Sequence, residues 1–386
     1  MCAQFNIPAT VISGAGAVAE LVPQLRRLGL SRVLIVTDRY MVQSGLIARI
    51  ESDLRAGSIE CGVYDGVQPD PTEANVLAGL ERLRAISAGA VVAVGGGSPI
   101  DCGKAVAMLA TNPVPLGQYM GRNKVGRASA PLIAIPTTAG TGSEVTKAAV
   151  ITDAVKDVKM LLMDPRLVPT VALVDFELTL SMPAGLTAAV GVDTLTHGIE
   201  AYVSRLANAL TDPLALACIE NVGRHLETAW REPGHRVARE GMMIAATQGG
   251  MAFANSSVCL VHGMSRPVGA LFHVPHGISN AMLLPAVTRF SLPGAEHRYA
   301  TIARTLRWAE AASSDRSAAE GLVLGLEDLN RRLRIPRLRD YPGLEEQRFF
   351  GVAEKMANDA LASGSPQNNP VVPSAAQIVE LYRAAW

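Results

Sequence analysis

The spacing of hydrophobic and polar positions changes rhythm near the middle of the chain. In the first half, short apolar runs alternate with segments of helical spacing. Residues 32–37, 59–64 and 90–94 read as buried strands, and 132–135, 148–151 and 171–174 as further strands. A stretch near 43–55, then 72–87 with Val76, Leu80 and Leu83 on one face, and 100–110 read as helices. Strands alternating with helices predict a mostly parallel sheet covered on both faces. After Leu180 the strand-like runs nearly vanish. Helical spacing follows over 187–204, 212–230, 237–254, 296–311, 318–333, 344–362 and 375–385, with Pro233-Gly234, Pro293-Gly294 and Pro342-Gly343 as punctuation. The expectation is an α/β domain over residues 1–180 and an all-helical domain over 181–386, with the boundary at Ser181-Met182-Pro183. Residues 364–373 read as a polar, proline-containing loop.

Composition narrows the class. A chain of 386 residues, 49% of them hydrophobic, can fill a core in each of two domains. Lys+Arg and Asp+Glu each total 35, so the basic excess that marks a nucleic-acid partner is missing. No apolar run approaches the roughly 18–20 residues of a spanning helix, so no membrane is expected as partner. Residues 1–25 carry no basic side chain and no compact apolar core, which argues against a signal peptide. The cysteines Cys2, Cys61, Cys102, Cys218 and Cys259 are scattered and lack CxxC spacing, which predicts free thiols and a reducing, cytoplasmic setting.

Two polar loops carry candidate cofactor chemistry. Val94-Gly95-Gly96-Gly97-Ser98-Pro99 is a strand running through glycines into a helix, a geometry that offers helix amides to a phosphate. The plain alternative is a tight strand–helix turn with no ligand. Pro136-Thr137-Thr138-Ala139-Gly140-Thr141-Gly142-Ser143-Glu144 ends another strand, where ligands of open parallel sheets sit. Taken alone it is equally a hydroxyl-rich connection; two such loops in one sheet favour a cofactor. Asp38, at the end of the first apolar run, either bonds a ribose hydroxyl or caps a helix.

The histidines suggest a metal. His197, His262 and His276 are each followed by glycine in apolar surroundings. Asp193 and His197 are four apart on a predicted helix, so they project from one face. Three imidazoles and a carboxylate suit Fe²⁺ or Zn²⁺ better than Ca²⁺ or Mg²⁺. Each histidine alone also fits an ordinary core or surface position.

Nearly the whole chain resembles the iron-containing (group III) alcohol dehydrogenase family. The resemblance is carried by Gly95-Gly-Gly-Ser-Pro-Ile-Asp101, Pro136 to Glu144, Asp193-Thr-Leu-Thr-His-Gly-Ile-Glu-Ala-Tyr202, Gly250-Met-Ala-Phe253, His262-Gly-Met264 and Pro275-His-Gly-Ile-Ser-Asn280. It implies a Rossmann-like N-terminal domain and a helical metal-binding catalytic domain, the dehydroquinate synthase-like architecture, with the active site in the cleft between them. It implies Asp193, His197, His262 and His276 as ligands of Fe²⁺, with Zn²⁺ as the other option. It further implies that Gly95, Gly96, Gly97, Ser98, Asp101, Thr137, Thr138, Thr141 and Lys159 contact the cofactor, and that Asp38 favours NAD over NADP. Many relatives are dimers paired partly through an N-terminal strand, here residues 5–11. Many also carry a proton-transfer histidine four residues after the third ligand. Here that position is Arg266, with His273 as the nearby substitute.

The expected activity is reversible hydride transfer between a nicotinamide and a small primary alcohol or aldehyde, the metal acting as Lewis acid. Arg266 raises two options, an anionic tail on the substrate or a partner within the protein. Glycerol dehydrogenases and dehydroquinate synthases share the scaffold and stand as the alternative. The scarcity of basic residues beside the ligand segments counts against the second.

Overall fold

In the computed structural model, which describes residues 4–155 and 158–386, the chain divides into two compact units, Phe5–Leu180 and Ser181–Trp386. The first runs β1 (Thr10–Ser13), α1 (Leu21–Arg27), β2 (Arg32–Val36), α2 (Arg39–Gln43), α3 (Leu46–Ala56), β3 (Glu60–Tyr64), α4 (Glu73–Ala85), β4 (Ala90–Gly95), α5 (Gly97–Leu109), β5 (Gly121–Arg122), β6 (Leu132–Pro136), β7 (Ala148–Asp153), β8 (Val158–Met163) and β9 (Val171–Val174). Six strands form one sheet in the order β1-β9-β6-β4-β2-β3, every neighbouring pair parallel. Successive β2 side chains alternate between two cores. Leu34 and Val36 join Val76, Leu80 and Ile100 from α4 and α5. Val33 and Ile35 join Leu21, Leu25, Ile47 and Ile50 from α1 and α3. Covering both faces is why these strands read as unbroken apolar runs.

The sheet order matters for function. From β2, β3 lies on one side and β4, β6 and β9 on the other. The chain therefore reverses direction across the sheet between β2 and β4, and the carboxyl ends of strands flanking such a reversal leave a crevice for ligands. Asp38 follows β2 and the glycine turn follows β4.

The second unit is helical: α6 (Ala184–Val203), α7 (Asp212–Arg231), α8 (Arg236–Asn255), α9 (Leu260–Phe272), α10 (His276–Thr305), α11 (Asp315–Arg332), α12 (Glu346–Gly351), α13 (Ala353–Ala362) and α14 (Ala375–Ala385). α6 is buried almost all round and packs against α7, α8 and α10, the position expected of a helix without a polar face. Arg239 of α8 ties down its start, donating to Thr187 Oγ1 at 2.8 Å, Met182 O at 3.0 Å and Pro233 O at 2.8 Å. Among the described residues no helix is long and apolar enough to cross a membrane. Cys61, Cys102, Cys218 and Cys259 are free thiols; Cys2 lies outside the described residues.

Several elements differ from the sequence expectation. No helix is predicted between 254 and 296, yet α9 and the first two-thirds of α10 lie there. Pro267, Pro285 and Pro293 inside these helices mask the pattern. The expected punctuation at Pro293-Gly294 holds: Ala295, at φ −157° and ψ 42°, is non-helical and breaks α10 there into two helical segments. The helix expected over 344–362 is broken at Val352 into α12 and α13. β8, which pairs antiparallel with β7, has no counterpart in the prediction. The first strand is Thr10–Ser13, later than the 5–11 implied by resemblance, because Pro8 lacks an amide for a ladder.

Candidate active site

In the first unit the glycine turn is shaped by close approach. Gly95 has φ +145°, and a Cβ there would meet Pro99 Cγ at 2.6 Å, so only glycine fits. Gly96 caps α5 without a side-chain hydrogen bond, which leaves early amides of a long helix for an anion. The Thr loop abuts the turn: Thr137 N donates to Gly95 O at 3.0 Å, and a Cβ on Gly97 would lie 3.0 Å from Thr141 Cγ2. Thr138 Oγ1 would lie 3.4 Å from a Cβ on Gly96. Asp38 Oδ1 accepts from Met41 N at 2.9 Å and so caps α2. Its Oδ2 would lie 3.5 Å from a Cβ on Gly95. Asp38, Gly95, Gly96, Gly97, Thr137, Thr138 and Thr141 thus gather at the reversal point of the sheet, beside Ser98 in the first turn of α5. A Cβ-free, uncapped helix start suits the pyrophosphate of a dinucleotide.

Two of the expected cofactor residues also bond within the protein. Asp101 Oδ1 accepts from Ser143 Oγ at 2.6 Å and Oδ2 from Val150 N at 2.9 Å. It braces α5 against the Thr loop and β7. Lys104, absent from the sequence expectation, completes the brace through Ser143 Oγ at 2.9 Å, Thr146 Oγ1 at 2.9 Å and Ala148 O at 2.7 Å. Burial lowers its ammonium to about 8 against the opposing pull of Asp101 and Glu144. Lys159 stands on β8 in the separate sheet β5-β8-β7, where Nζ bonds Asp70 Oδ1 at 2.7 Å.

The donor cluster lies wholly in the second unit. α6 projects Asp193 and His197 one turn apart, with His197 Nε2 3.9 Å from Asp193 Oδ1. α9 supplies His262 from its first turn and α10 supplies His276 at its start. Gly277 makes the approach of α10 to α6 possible: a Cβ there would sit 2.7 Å from Ala189 O. His262 Nε2 and His276 Nε2 lie 3.8 and 4.0 Å from Asp193 Oδ1. Ligand atoms of Asp193, His262 and His276 all fall within 4.8 Å of one another. Asp193 and His262 are buried, whereas the His276 side chain is 46% exposed and opens the cluster to solvent. Burial works to raise the Asp193 carboxyl, but His197, His276, His262 and the Asn280 amide outweigh it and hold it low. Burial, with the neighbouring imidazoles, keeps His262 well below the usual histidine range.

Three further side chains shape the cluster. Asn280 Nδ2 lies 2.6 Å from Asp193 Oδ1 and 3.2 Å from both His262 Nε2 and His276 Nε2. Glu200 accepts from Cys259 N and Val261 N, and its Oε2 lies 2.6 Å from His262 Nδ1; burial raises its carboxyl to about 7 despite the backbone donors. Phe253 stacks on His197. The signal that could have found Glu200 is a second carboxylate, beside Asp193, in a mostly apolar, buried helix, which demands a partner. Arg266 shares α9 with His262; its Nη1 donates to Ser365 Oγ at 2.9 Å, and its charge acts on Glu200. His273 is exposed in the left-handed region, φ 55°, at the end of α9.

The donor chemistry fits a cation. One buried carboxylate and imidazole nitrogens converge on a small volume, the set that borderline divalent metals select. The Asn280 amide nitrogen lies in the same volume, 3.2 Å from the Nε2 atoms of both His262 and His276.

Comparison with known proteins agrees with this geometry. The profile of Iron-containing alcohol dehydrogenase matches residues 8–176, and that of the Fe-containing alcohol dehydrogenase family, C-terminal, matches residues 187–386. The chain belongs to the iron-containing alcohol dehydrogenase family. It is 36% identical over 381 residues to the NAD-dependent methanol dehydrogenase of Bacillus methanolicus, covering 99% of each chain. It is 38% identical over 376 residues to the lactaldehyde reductase of Escherichia coli K12, covering 97% of each. The crystal structure of a 1,3-propanediol oxidoreductase superposes with a TM-score of 0.97 at 35% identity, covering 100% of both chains.

Proposed function

We propose that this chain is an NAD-dependent, metal-dependent alcohol dehydrogenase and aldehyde reductase for small, uncharged primary alcohols and aldehydes. The observation that carries the reading is the convergence of Asp193, His262 and His276 within 4.8 Å, with His197 beside them, in a chain of this family. Asp193, His197, His262 and His276 would hold Fe²⁺ or Zn²⁺. When bound, such a cation supplies Lewis acidity to an alcohol or carbonyl oxygen, and a nicotinamide accepts or supplies the hydride.

The protein's own groups do the rest. The buried Asp193 carboxylate offsets part of the cation's charge. The amides at the start of α5 and the hydroxyls of Thr137, Thr138 and Thr141 bind and orient the dinucleotide. Asp38 accepts a ribose hydroxyl and disfavours the 2′-phosphate of NADP. Ser98 lines the turn; Asp101 and Lys104 hold the Thr loop in place behind it. His273, exposed three residues before His276, is the candidate for moving a proton to solvent. Methanol, lactaldehyde and propanediol, named for three of the relatives, are small and uncharged, and Arg266 already has Ser365 as a hydrogen-bond partner and the Glu200 charge acting on it. These two points favour an uncharged substrate.

The free thiols support a cytoplasmic setting. β1 is an edge strand, whose open side could pair with a second copy in a homodimer. The test loads the purified protein with Fe²⁺ or Zn²⁺. NADH formation is followed with a panel of small primary alcohols, and NADH and NADPH oxidation with the matching aldehydes. Hydride transfer with NAD(H) preferred is expected. No transfer to or from any member of the panel rejects the reading.

A further inference from the structure

We propose that Glu200 is the positioning residue of the donor cluster: with one carboxylate it fixes both the N-terminus of α9 and the tautomer of His262, so that Nε2 presents its lone pair beside Asp193. The inference rests on the reading that the cluster holds a cation.

Glu200 lies three residues after His197 and seven after Asp193, on the same face of α6. Its carboxylate meets three donors of the segment that starts α9. Oε2 accepts from Cys259 N at 2.8 Å and lies 2.6 Å from His262 Nδ1, and Oε1 accepts from Val261 N at 2.6 Å. Cys259 itself offers no side-chain cap. A carboxylate from another helix therefore satisfies the orphan amides and sits where the helix dipole favours negative charge. The same oxygen decides the imidazole. A neutral ring has one N–H and one lone pair. With the proton on Nδ1, donated to Glu200, the lone pair is on Nε2. From the other side, the Asn280 amide nitrogen stands 3.2 Å from that Nε2, where one of its two N–H groups can meet the lone pair. Both neighbours of the ring thus call for one tautomer, the one a cation needs.

A role limited to capping α9 predicts lower stability and nothing else. Positioning predicts more. Gln at this position has a single acceptor oxygen and cannot serve all three donors. Turned one way it loses Val261 N; turned the other, its NH₂ faces Nδ1 and drives the proton to Nε2.

The experiment measures the Co²⁺ dissociation constant of the apoprotein by competition with a chromophoric chelator, together with the visible bands of the Co²⁺ form. It compares the parent, Glu200→Gln, and Ile378→Ala as a destabilised control in α14. Glu200→Gln is expected to weaken Co²⁺ binding on the order of 10–100-fold and to shift the bands, while Ile378→Ala keeps the parent's affinity. Unchanged affinity and bands in Glu200→Gln overturn the proposal. If Glu200→Gln does not fold, ¹⁵N NMR of the histidines in the parent apoprotein decides. A proton on Nδ1 of His262 upholds the proposal, and a proton on Nε2 overturns it. Co²⁺ bound equally well by His197→Ala rejects the cation reading itself, and the tautomer still decides Glu200.

Discussion

The imidazole of His197 lies stacked on the ring of Phe253, with centroids 4.4 Å apart and planes inclined by 24°. Its Nδ1 is buried without a hydrogen-bond partner among the described residues. No carboxylate therefore orients this ring as Glu200 orients His262. Its aim comes from the stack and from His262, whose ring lies 4.7 Å away on centroids. A stacked pair contributes about 0.5–1.5 kcal/mol beyond its buried area. Phe253→Leu should therefore weaken cation binding by about two- to tenfold. Competition titration with Zn²⁺ checks this, and parent-like affinity would make the stack incidental.

Removing a ligand should do more than loosening one. His197→Ala and Asp193→Asn are each expected to lose cation and activity together while keeping the helical circular dichroism of the parent. Stripping the parent with a chelator should likewise abolish activity, and Fe²⁺ or Zn²⁺ should restore it. Elemental analysis beside the assay is the check. Full metal occupancy in His197→Ala would falsify its place in the ligand set.

How much of this was legible in the sequence depends on what the local pattern could express. The parallel sheet was readable because strands covered on both faces become apolar runs such as residues 90–94. Asp193 and His197 were readable because helical spacing alone puts them on one face. The helices bearing His262 and His276 were not. Pro267 and Pro285 are breaker signals, and tertiary packing overrode them. Glu200 and Lys104 were hidden for a different reason. A charge in a mostly apolar helix announces that a partner exists, but that partner comes from a remote segment: Val261 and His262 for Glu200, Ser143 and Ala148 for Lys104. Asp101 was read through resemblance as a cofactor contact, and only the fold places both its oxygens on Ser143 and Val150.

Asp38 offers a test that separates charge from capping. Its Oδ1 caps α2 through Met41 N at 2.9 Å, and its Oδ2 sits against Gly95. Asn caps a helix as well as Asp does but carries no charge. Asp38→Asn should therefore keep the parent's melting temperature and raise the ratio of NADPH to NADH use in kcat/KM. An unchanged ratio would leave Asp38 a helix cap alone.

Lys104 sets a pH dependence of stability. In the native protein its ammonium titrates near about 8, against an ordinary value of 10.5. Between those values the unfolded chain holds a proton that the native chain does not. Native stability therefore rises with pH through that window, by about 3 kcal/mol for a shift of this size. Below pH ~8 both states are protonated and the slope vanishes. Lys104→Met removes the slope at the cost of the bonds to Ser143, Thr146 and Ala148. Urea unfolding of parent and variant at both ends of the window should show the parent gaining on the variant. Parallel curves would mean that Lys104 stays charged throughout.

Arg266 stands where many relatives carry a proton-transfer histidine, and its neighbours decide between two roles. A guanidinium waiting for an anionic substrate should keep its donors free toward the cluster. Here Nη1 is spent on Ser365 Oγ at 2.9 Å, and the charge acting on the group is the Glu200 carboxylate. A buried carboxylate needs a compensating charge, and Arg266, one turn beyond His262 on α9, supplies it. The loop at residues 364–373 is then part of the site's support, because Ser365 Oγ accepts from the guanidinium. The expected result for Arg266→Ala is a loss in kcat/KM that is equal, within error, for a neutral aldehyde and its acid-tailed analogue. Cation affinity should fall as well, since His262 depends on Glu200. An anion-binding role predicts a different split, with an extra loss of about 1.5–3 kcal/mol for the acid-tailed substrate alone. That split, if found, would restore the anionic-tail reading and remove Arg266 from the support of Glu200. His273→Ala belongs in the same assay: a steep loss of activity with unchanged cation affinity would mark His273 as the proton relay that the arginine cannot be.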